Sequence, residues 1–101
     1  MDPDSKPDFM IADVVEPTAG RDAGKLFYVV GTEGEYLLLA NGKDRSLEQP
    51  KRKKRKHAKK VLRSDTRVAE KLRTGDKVLN SELRRDLATF GQQFNSQNQG
   101  G

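Results

Sequence analysis

Apolar residues along this chain fall into short runs that are separated by turn-forming residues. Residues 10–15 are β-prone and end at Glu16-Pro17, where proline cannot donate a hydrogen bond to a neighbouring strand. Residues 25–31 (KLFYVVG) are aromatic and β-branched, which is typical of a strand buried on both faces. Residues 35–40 (EYLLLA) form a third run after the turn signal TEGE. This pattern predicts a small β-sheet fold.

Turn residues mark the end of the predicted β region. Asn41-Gly42 is a strong hairpin signal, because both central positions of a type I′ turn need a positive φ. Residues 43–48 are therefore expected to form a short return strand with Leu47 pointing inward, and Pro50 closes the compact part. Residues 57–62 either add a fifth strand across the opening or form a helix. Four strands in about 40 residues predict a small, partly open β-barrel.

The third quarter of the chain changes to a helical period. Residues 65–75 (DTRVAEKLRTG) place Val68 and Leu72 four positions apart. Asp65 is the expected N-cap, and Gly75 is the expected stop. The segment therefore predicts a short amphipathic helix.

A second helix is predicted at residues 80–91 (NSELRRDLATFG), with Asn80 as its cap and Gly91 as its stop. Neither helix is long enough to be stable alone. The two helices either pack on the barrel as a hairpin or bind a partner protein, and the sequence leaves both possibilities open. The expected apolar face of the second helix consists of Leu79, Leu83, Leu87 and Phe90.

Composition narrows the class of protein. Only 33% of the residues are hydrophobic and 35% are charged, so part of the chain is not expected to pack. The absence of cysteine excludes disulfides and thiolate zinc sites. No apolar run reaches the roughly 20 residues that span a bilayer, and the opening MDPDSKPDF is acidic, unlike a secretory signal. We expect a soluble, cytoplasmic monomer.

The positive charge is concentrated in one segment, residues 51–63, which we call the basic tract. It contains nine of the 20 Lys/Arg residues and no acidic residue. The rest of the chain has 11 Lys/Arg against 15 Asp/Glu residues, so the whole positive excess lies in the tract. Such a run is either a solvated linker or a flexible arm that binds phosphate and orders on binding. The attached domain decides between these two interpretations.

The loop at residues 18–25 carries two glycines and two cations. Its spacing does not match a nucleotide-phosphate loop, because one residue is missing between Gly20 and Gly24 and Leu26 replaces the metal-binding Ser/Thr. An ordinary β-turn loop with exposed charges also fits this composition. In that loop, Asp22 is expected to form the turn and to orient Arg21.

A family resemblance runs through these segments. The stretch VVEPTAGRDAGKLFYVV resembles the KOW motif, a strand–loop–strand unit of ribosomal proteins and transcription elongation factors. AGRDAGK followed by ANGKDRSLEQPKRKKRKHAKK resembles the KOW-containing large-subunit ribosomal proteins of archaeal and eukaryotic type, and their small bacterial relatives. The resemblance covers residues 10–61 and implies an SH3-like β-barrel that binds RNA, most often ribosomal RNA, through its loops.

The fold expected from pattern and resemblance is mainly β. It is a small SH3-like (KOW) partly open β-barrel, followed by a basic arm and two short C-terminal helices. The expected organisation is a disordered N-terminus at 1–8, the barrel with its basic tract at 9–62, a helical hairpin at 64–91 and a disordered tail at 92–101.

The expected function is non-catalytic RNA binding, on ribosomal RNA of the large subunit, in ribosome structure, assembly or translation quality control. The sequence shows no paired carboxylates or Ser/His/Asp set and has a single histidine, so we expect no enzyme activity, metal or cofactor. The strand aromatics Phe27, Tyr28 and Tyr36 are able to stack on bases but are more typical of a core. The alternative is a protein-interaction adaptor of the transcription or translation apparatus that uses helices 65–90. The expected RNA contacts are Gly20, Arg21, Lys25, Lys51, Arg52, Lys53, Lys54, Arg55, Lys56, His57, Lys59 and Lys60.

Overall fold

The computed structural model describes the backbone of residues 9–99 and the side chains of residues 9–91. The disordered N-terminus predicted at 1–8 lies outside the described residues. Residues 9–99 form five strands and two α-helices. In order, these are β1 (Asp13–Pro17), β2 (Phe27–Glu33), β3 (Tyr36–Ala40), β4 (Lys51–Lys54), a 3₁₀ turn (Arg55–His57), β5 (Ala58–Arg63), α1 (Arg67–Thr74) and α2 (Asn80–Gln99).

The five strands form one antiparallel sheet in the order β4-β3-β2-β1-β5. The two outer strands, β4 and β5, are joined by only three residues of 3₁₀ turn. A flat sheet would hold these strands about 19 Å apart, whereas three residues of 3₁₀ turn rise only about 6 Å. The sheet must therefore curl, which is consistent with a small β-barrel-like domain.

The inner face of the curled sheet holds one of two buried clusters. Alternate residues of the central strands point into it, as the period of two along a strand requires. Ala58 of β5 packs against this cluster. Its buried members are Phe9, Val15, Phe27, Val29, Leu37 and Leu39.

The outer face is covered by the two helices. Val14, Tyr28 and Ala40 are cross-strand partners in one row, and they belong to the second cluster. The first half of β2 is thus buried on both faces, as its composition predicted, and the helices pack on the sheet. The helical members of this cluster are Val68, Ala69, Leu83 and Leu87.

The helix boundaries differ in part from those predicted. α1 is capped by Thr66, whose side chain accepts the Ala69 N–H, and not by Asp65. Gly75 ends α1 with a φ of 80°, as predicted. α2 has 20 residues and continues past Gly91 to Gln99, so it is not short and the predicted tail at 92–101 is helical through residue 99. Leu79 is 51% exposed and does not belong to the apolar face.

The predicted return strand at residues 43–48 is wrong. Residues 41–50 form a loop that is organised by one side chain, because Oδ1 of Asn41 accepts the N–H groups of Lys43 and Arg45 at 3.0 Å each. Gly42 has a φ of 76°, but Asn41 does not have a positive φ, so the type I′ turn does not form. The hydrogen bonds that the Asn41 side chain accepts stabilise a wider turn than the predicted two-residue hairpin turn.

The basic tract is not the flexible arm that the sequence predicted. It contains β4, the 3₁₀ turn and β5, and the helical alternative for residues 57–62 is wrong because strand β5 begins at Ala58. β4 pairs with Tyr36 to Leu39 of β3, which need a neighbouring strand to satisfy their backbone groups. Lysine suits such outer strands, because its stem covers apolar surface while its ammonium stays in water.

A buried polar network joins the sheet to both helices. The Tyr28 side chain is fully buried, and its hydroxyl donates to the Asp86 carboxylate of α2 and lies 2.8 Å from Oγ of Ser64. The Thr66 hydroxyl donates to the same carboxylate at 2.7 Å. Burial, and then the hydrogen bond to Asp86, raise the pKa of Tyr28 to about 12.

We expect Tyr28→Phe to lower the free energy of unfolding by about 1–2 kcal/mol at pH 7, because Asp86 loses a buried donor. The phenol pKa is raised from 10.0 to about 12, so its contribution is complete below pH 10 and is lost as the pH rises toward 12. Urea unfolding from pH 7 to 11 should therefore show a steeper alkaline loss in the wild type than in Tyr28→Phe. Tyr36→Phe, at the only other tyrosine, serves as the control. Parallel alkaline profiles for the wild type and Tyr28→Phe would contradict this role.

Candidate nucleic-acid interface

The loop at residues 18–25 joins β1 to β2 through two consecutive turns. The Ala23 N–H donates to the Gly20 carbonyl at 3.2 Å, and the Lys25 N–H donates to the Asp22 carbonyl at 3.1 Å. Gly20 has a φ of 89°, a backbone conformation that favours glycine. These bonds give the loop a defined shape.

This loop lies against the basic tract. Nζ of Lys53 donates to the Ala19 carbonyl at 2.9 Å, and a Cβ at Gly20 would lie 3.4 Å from the same nitrogen. The Thr18 N–H donates to the His57 carbonyl at 2.9 Å, which ties the start of the loop to the 3₁₀ turn. The start of the loop is therefore in direct contact with β4 and with the 3₁₀ turn of the basic tract.

Asp22 holds this surface together, a role that the sequence analysis did not assign to it. Its side chain is nearly buried, and its carboxylate pairs with Lys51 of β4 and, at 3.8 Å, with Lys25. The hydrogen bond from Lys51 lowers the pKa of Asp22. Asp22 thus orients Lys51 and Lys25, and not Arg21. Its sequence context indicated only a turn, because Lys51 is 29 residues away along the chain.

We expect Asp22→Asn to lower the free energy of unfolding at pH 7 by about 1–3 kcal/mol, because a largely buried ammonium loses its charged partner. The folded-state pKa of Asp22 lies below its ordinary value of 3.8, so the stabilisation is present above pH 3.8 and fades as the pH falls through the folded pKa. Urea titrations at pH 7 and pH 3 should show the gap between variant and wild type closing at low pH. Asp44→Asn, at an exposed partner of Lys25, is the control and should have a smaller effect. A gap that persists unchanged at pH 3 would contradict the ion-pair explanation.

Three of the predicted RNA-binding lysines already have carboxylate partners. Lys25 lies 3.3 Å from Asp44 in addition to its contact with Asp22, and Lys51 pairs with Asp22. Nζ of Lys60 lies 3.3 Å from the buried carboxylate of Asp13. These lysines contribute less positive potential than the sequence suggests.

The other predicted cations keep their charge available. Arg55 and Lys53 donate to the backbone carbonyls of Gly34 and Ala19, which do not neutralise them. Arg52 pairs with Glu33 at 3.4 Å, but both side chains are more than half exposed and water screens the pair. Of the cations predicted to bind RNA, four are exposed and make no side-chain hydrogen bond or ion pair within residues 9–91. They are Arg21, Lys54, Lys56 and Lys59.

One aromatic side chain lies among these cations. Phe27 and Tyr28 are buried in the two clusters, as strand aromatics are expected to be, but Tyr36 is only half-buried. The guanidinium of Arg52 lies 4.4 Å above the centre of the Tyr36 ring. Tyr36 is also the cross-strand partner of Lys54. The sequence did not predict this stack, because it requires the pairing of β3 with β4.

A cavity adjoins the stack. It has a volume of about 370 Å³, lies between the β2–β3 turn and the 3₁₀ turn, and is lined by Glu35, Lys54, Arg55 and Lys56. His57 is exposed at the end of the 3₁₀ turn. A wider groove of about 780 Å³ lies between the loop at 18–25, the loop at 41–50 and α2. Lys25, Lys43 and Arg84 are among its lining residues.

No protein-family model and no curated protein matches this sequence. In the part of the chain that the structure describes, no helix has the length and hydropathy needed to cross a membrane. The same part contains no group of three or more His, Cys, Asp or Glu residues arranged to hold a metal ion. The resemblance to KOW-domain proteins therefore stays a prediction.

Proposed function

We propose that this protein is a non-catalytic RNA-binding protein with an SH3-like KOW domain. On this proposal it acts in the cytoplasm, on ribosomal RNA of the large subunit, in ribosome structure, assembly or translation quality control. The observation that carries the proposal is the contact between the loop and the tract. Lys53 donates to Ala19 and lies against Gly20, so the loop that carries Arg21 packs on the face of β4 that carries Lys51 and Lys53, while Arg52 and Lys54 extend the positive charge to the other face of the strand.

A fixed cationic surface suits RNA for two physical reasons. Proteins contact RNA duplexes mainly through phosphates, 2′-hydroxyls and overall shape, and these features recur along the polymer. A preformed array also loses less conformational entropy on binding than a flexible arm does. The inclusion of the basic tract in the sheet therefore strengthens the proposal, although the mechanism differs from the flexible arm expected from the sequence.

Two other interpretations of the same features are less well supported. The adaptor alternative relied on the amphipathic helices, but Val68, Leu83 and Leu87 are buried against the sheet and do not offer an apolar surface to a partner. Lysines on the outer strands also prevent edge-to-edge association of sheets. That protective role predicts no affinity for RNA, so the two explanations are separable by experiment.

The direct test is the affinity of the full chain for RNA as a function of salt. Each neutralised phosphate contributes about −0.7 to the log–log slope on single strands, so about six available cations predict a slope near −4. Fluorescence anisotropy with a labelled RNA from 50 to 300 mM salt would measure this slope. A slope shallower than about −1 would show that the basic surface does not bind phosphates.

The ribosomal part of the proposal needs a separate measurement. Extract sedimented through a density gradient at low salt should place the protein with the large ribosomal subunit. Retention at high salt would identify a stable component, and release would identify a transient factor. Absence from every ribosomal particle at low salt, together with salt-dependent RNA binding in vitro, would reject the ribosomal assignment and leave RNA binding in place.

A further inference from the structure

The corner where the β2–β3 turn meets the 3₁₀ turn holds an arginine in a fixed position. Nε of Arg55 donates to the Gly34 carbonyl at 2.8 Å, and the Arg55 N–H donates to the Glu35 carbonyl at 2.9 Å. Nε of the guanidinium is thus occupied, whereas its two terminal nitrogens make no hydrogen bond within residues 9–91. A guanidinium held in this way is ready to bind phosphate through two parallel bonds.

Beside this corner, Arg52 of β4 and Tyr36 of β3 form a flat cationic platform. The Arg52 guanidinium stacks at 4.4 Å on the Tyr36 ring, and its Nε lies 3.4 Å from Oε1 of Glu33. The Arg52 side chain is 61% exposed, so the face of the guanidinium turned away from Tyr36 is open to solvent. Tyr36 and Lys54 are cross-strand partners, and Lys54 lines the cavity beside Arg55. The platform and the fixed arginine are therefore neighbours.

We propose that this corner binds an unpaired nucleotide of single-stranded RNA. The base stacks on the outer face of the Arg52 guanidinium, and Arg55 holds the adjoining phosphate with Lys54 and Lys56 beside it. The inference rests on the proposed RNA-binding function and adds to it a preference for unpaired RNA. A base inside a duplex cannot present its face to a side chain, whereas loops, bulges and ends can.

The cavity fits this occupant in size and in polarity. Its volume of about 370 Å³ is at the small end of the range for ligand pockets, and Arg52 lies outside its lining, so the base covers Arg52 and only its edge and the phosphate reach the cavity. Glu35 also lines the cavity. Its carboxylate would repel a second phosphate, but it can accept a hydrogen bond from the exocyclic amino group of a base. The lining therefore matches one phosphate and one base edge.

The test compares two substitutions that keep the charge and remove the planar fork, Arg52→Lys and Arg55→Lys. Arg63→Lys on β5 is the matched control, because Arg63 is exposed and lies outside the corner. The probes are an unstructured RNA oligonucleotide that carries 2-aminopurine and a duplex of the same length. Wild-type protein should change the 2-aminopurine fluorescence when the base leaves its neighbours in the strand and stacks on Arg52.

Arg52→Lys is expected to weaken single-strand binding by about fivefold or more and to abolish the fluorescence change, because stacking on a base contributes at least that much. Its salt slope should stay unchanged, since the charge is retained. Arg55→Lys should also weaken single-strand binding while keeping part of the fluorescence change. Duplex affinity should be the same for all variants, and Arg63→Lys should match the wild type throughout.

The failures of the two proposals are distinguishable. If the wild type binds RNA with a steep salt slope but Arg52→Lys, Arg55→Lys and Arg63→Lys behave alike, the nucleotide corner is wrong and general RNA binding stands. Equal loss of single-strand and duplex affinity in Arg52→Lys would also reject the corner, since it would indicate a phosphate contact only. If the wild type binds neither probe, both proposals are wrong.

Discussion

Replacing Gly42 with alanine is expected to lower the free energy of unfolding by more than about 3 kcal/mol. A Cβ at this position would lie 2.1 Å from the carbonyl oxygen of Asn80 and 3.1 Å from the backbone nitrogen of Arg84. Both atoms belong to the backbone of α2, so no side-chain rotation relieves the overlap. Gly42 also has a φ of 76°, which adds strain for any residue with a Cβ.

The structure must respond by moving the loop at 41–50 away from the start of α2. That movement breaks the bond from the Leu47 N–H to Oδ1 of Asn80, which measures 2.8 Å. It also breaks the bond from Nδ2 of Asn80 to Glu48, which measures 2.9 Å. Displacement of α2 further loosens the packing of Leu83 in the outer cluster.

Gly75→Ala is the matched control for this prediction. Gly75 has a φ of 80°, close to that of Gly42, but a Cβ there would meet no atom within 4 Å. We expect Gly75→Ala to lower stability by only about 1 kcal/mol, from backbone strain alone. Thermal unfolding should then show a fall in Tm of about 4–8 °C for the control and at least about 12 °C for Gly42→Ala. Equal losses in the two variants would mean that the close approach to α2 contributes nothing.

The second large effect concerns RNA affinity. Substituting Lys54, Lys56 and Lys59 together with alanine is expected to weaken RNA binding by about 10- to 100-fold near 0.1 M salt. These three exposed lysines make no ion pair within residues 9–91, so each is available to a phosphate. The salt slope should become shallower by about 2, which is three contributions of about 0.7.

A triple variant of equal charge provides the control. Arg67, Lys77 and Arg85 are exposed cations outside the basic tract, and their substitution with alanine removes the same net charge. The control triple should change both affinity and slope by less, because the replaced charges lie away from the proposed surface. Urea unfolding should give similar stabilities for both triples, which excludes misfolding as the cause. If both triples lose the same affinity, net charge and not the position of the lysines governs binding.

The sequence determined those features of the fold that depend on neighbouring residues. The apolar run of β2 predicts a strand buried on both faces, and Phe27 and Tyr28 do point into the inner and outer clusters. The end of α1 at Gly75 follows from glycine's access to a positive φ. The concentration of positive charge in residues 51–63 is also a property of the sequence alone.

Only the tertiary structure decided what those features do together. A run of lysines carries no period-two apolar signal, so β4 becomes a strand because β3 requires a partner and not because of its own propensity. The pairing of Asp22 with Lys51 and the stack of Arg52 on Tyr36 likewise join residues that are far apart in the chain. The local sequence identifies Gly42 only as a turn residue. Glycine is required there because α2, about forty positions later in the chain, leaves no space for a Cβ. Local sequence fixes which conformations a segment prefers, whereas strand pairing and helix packing select among them with contacts that no short segment contains.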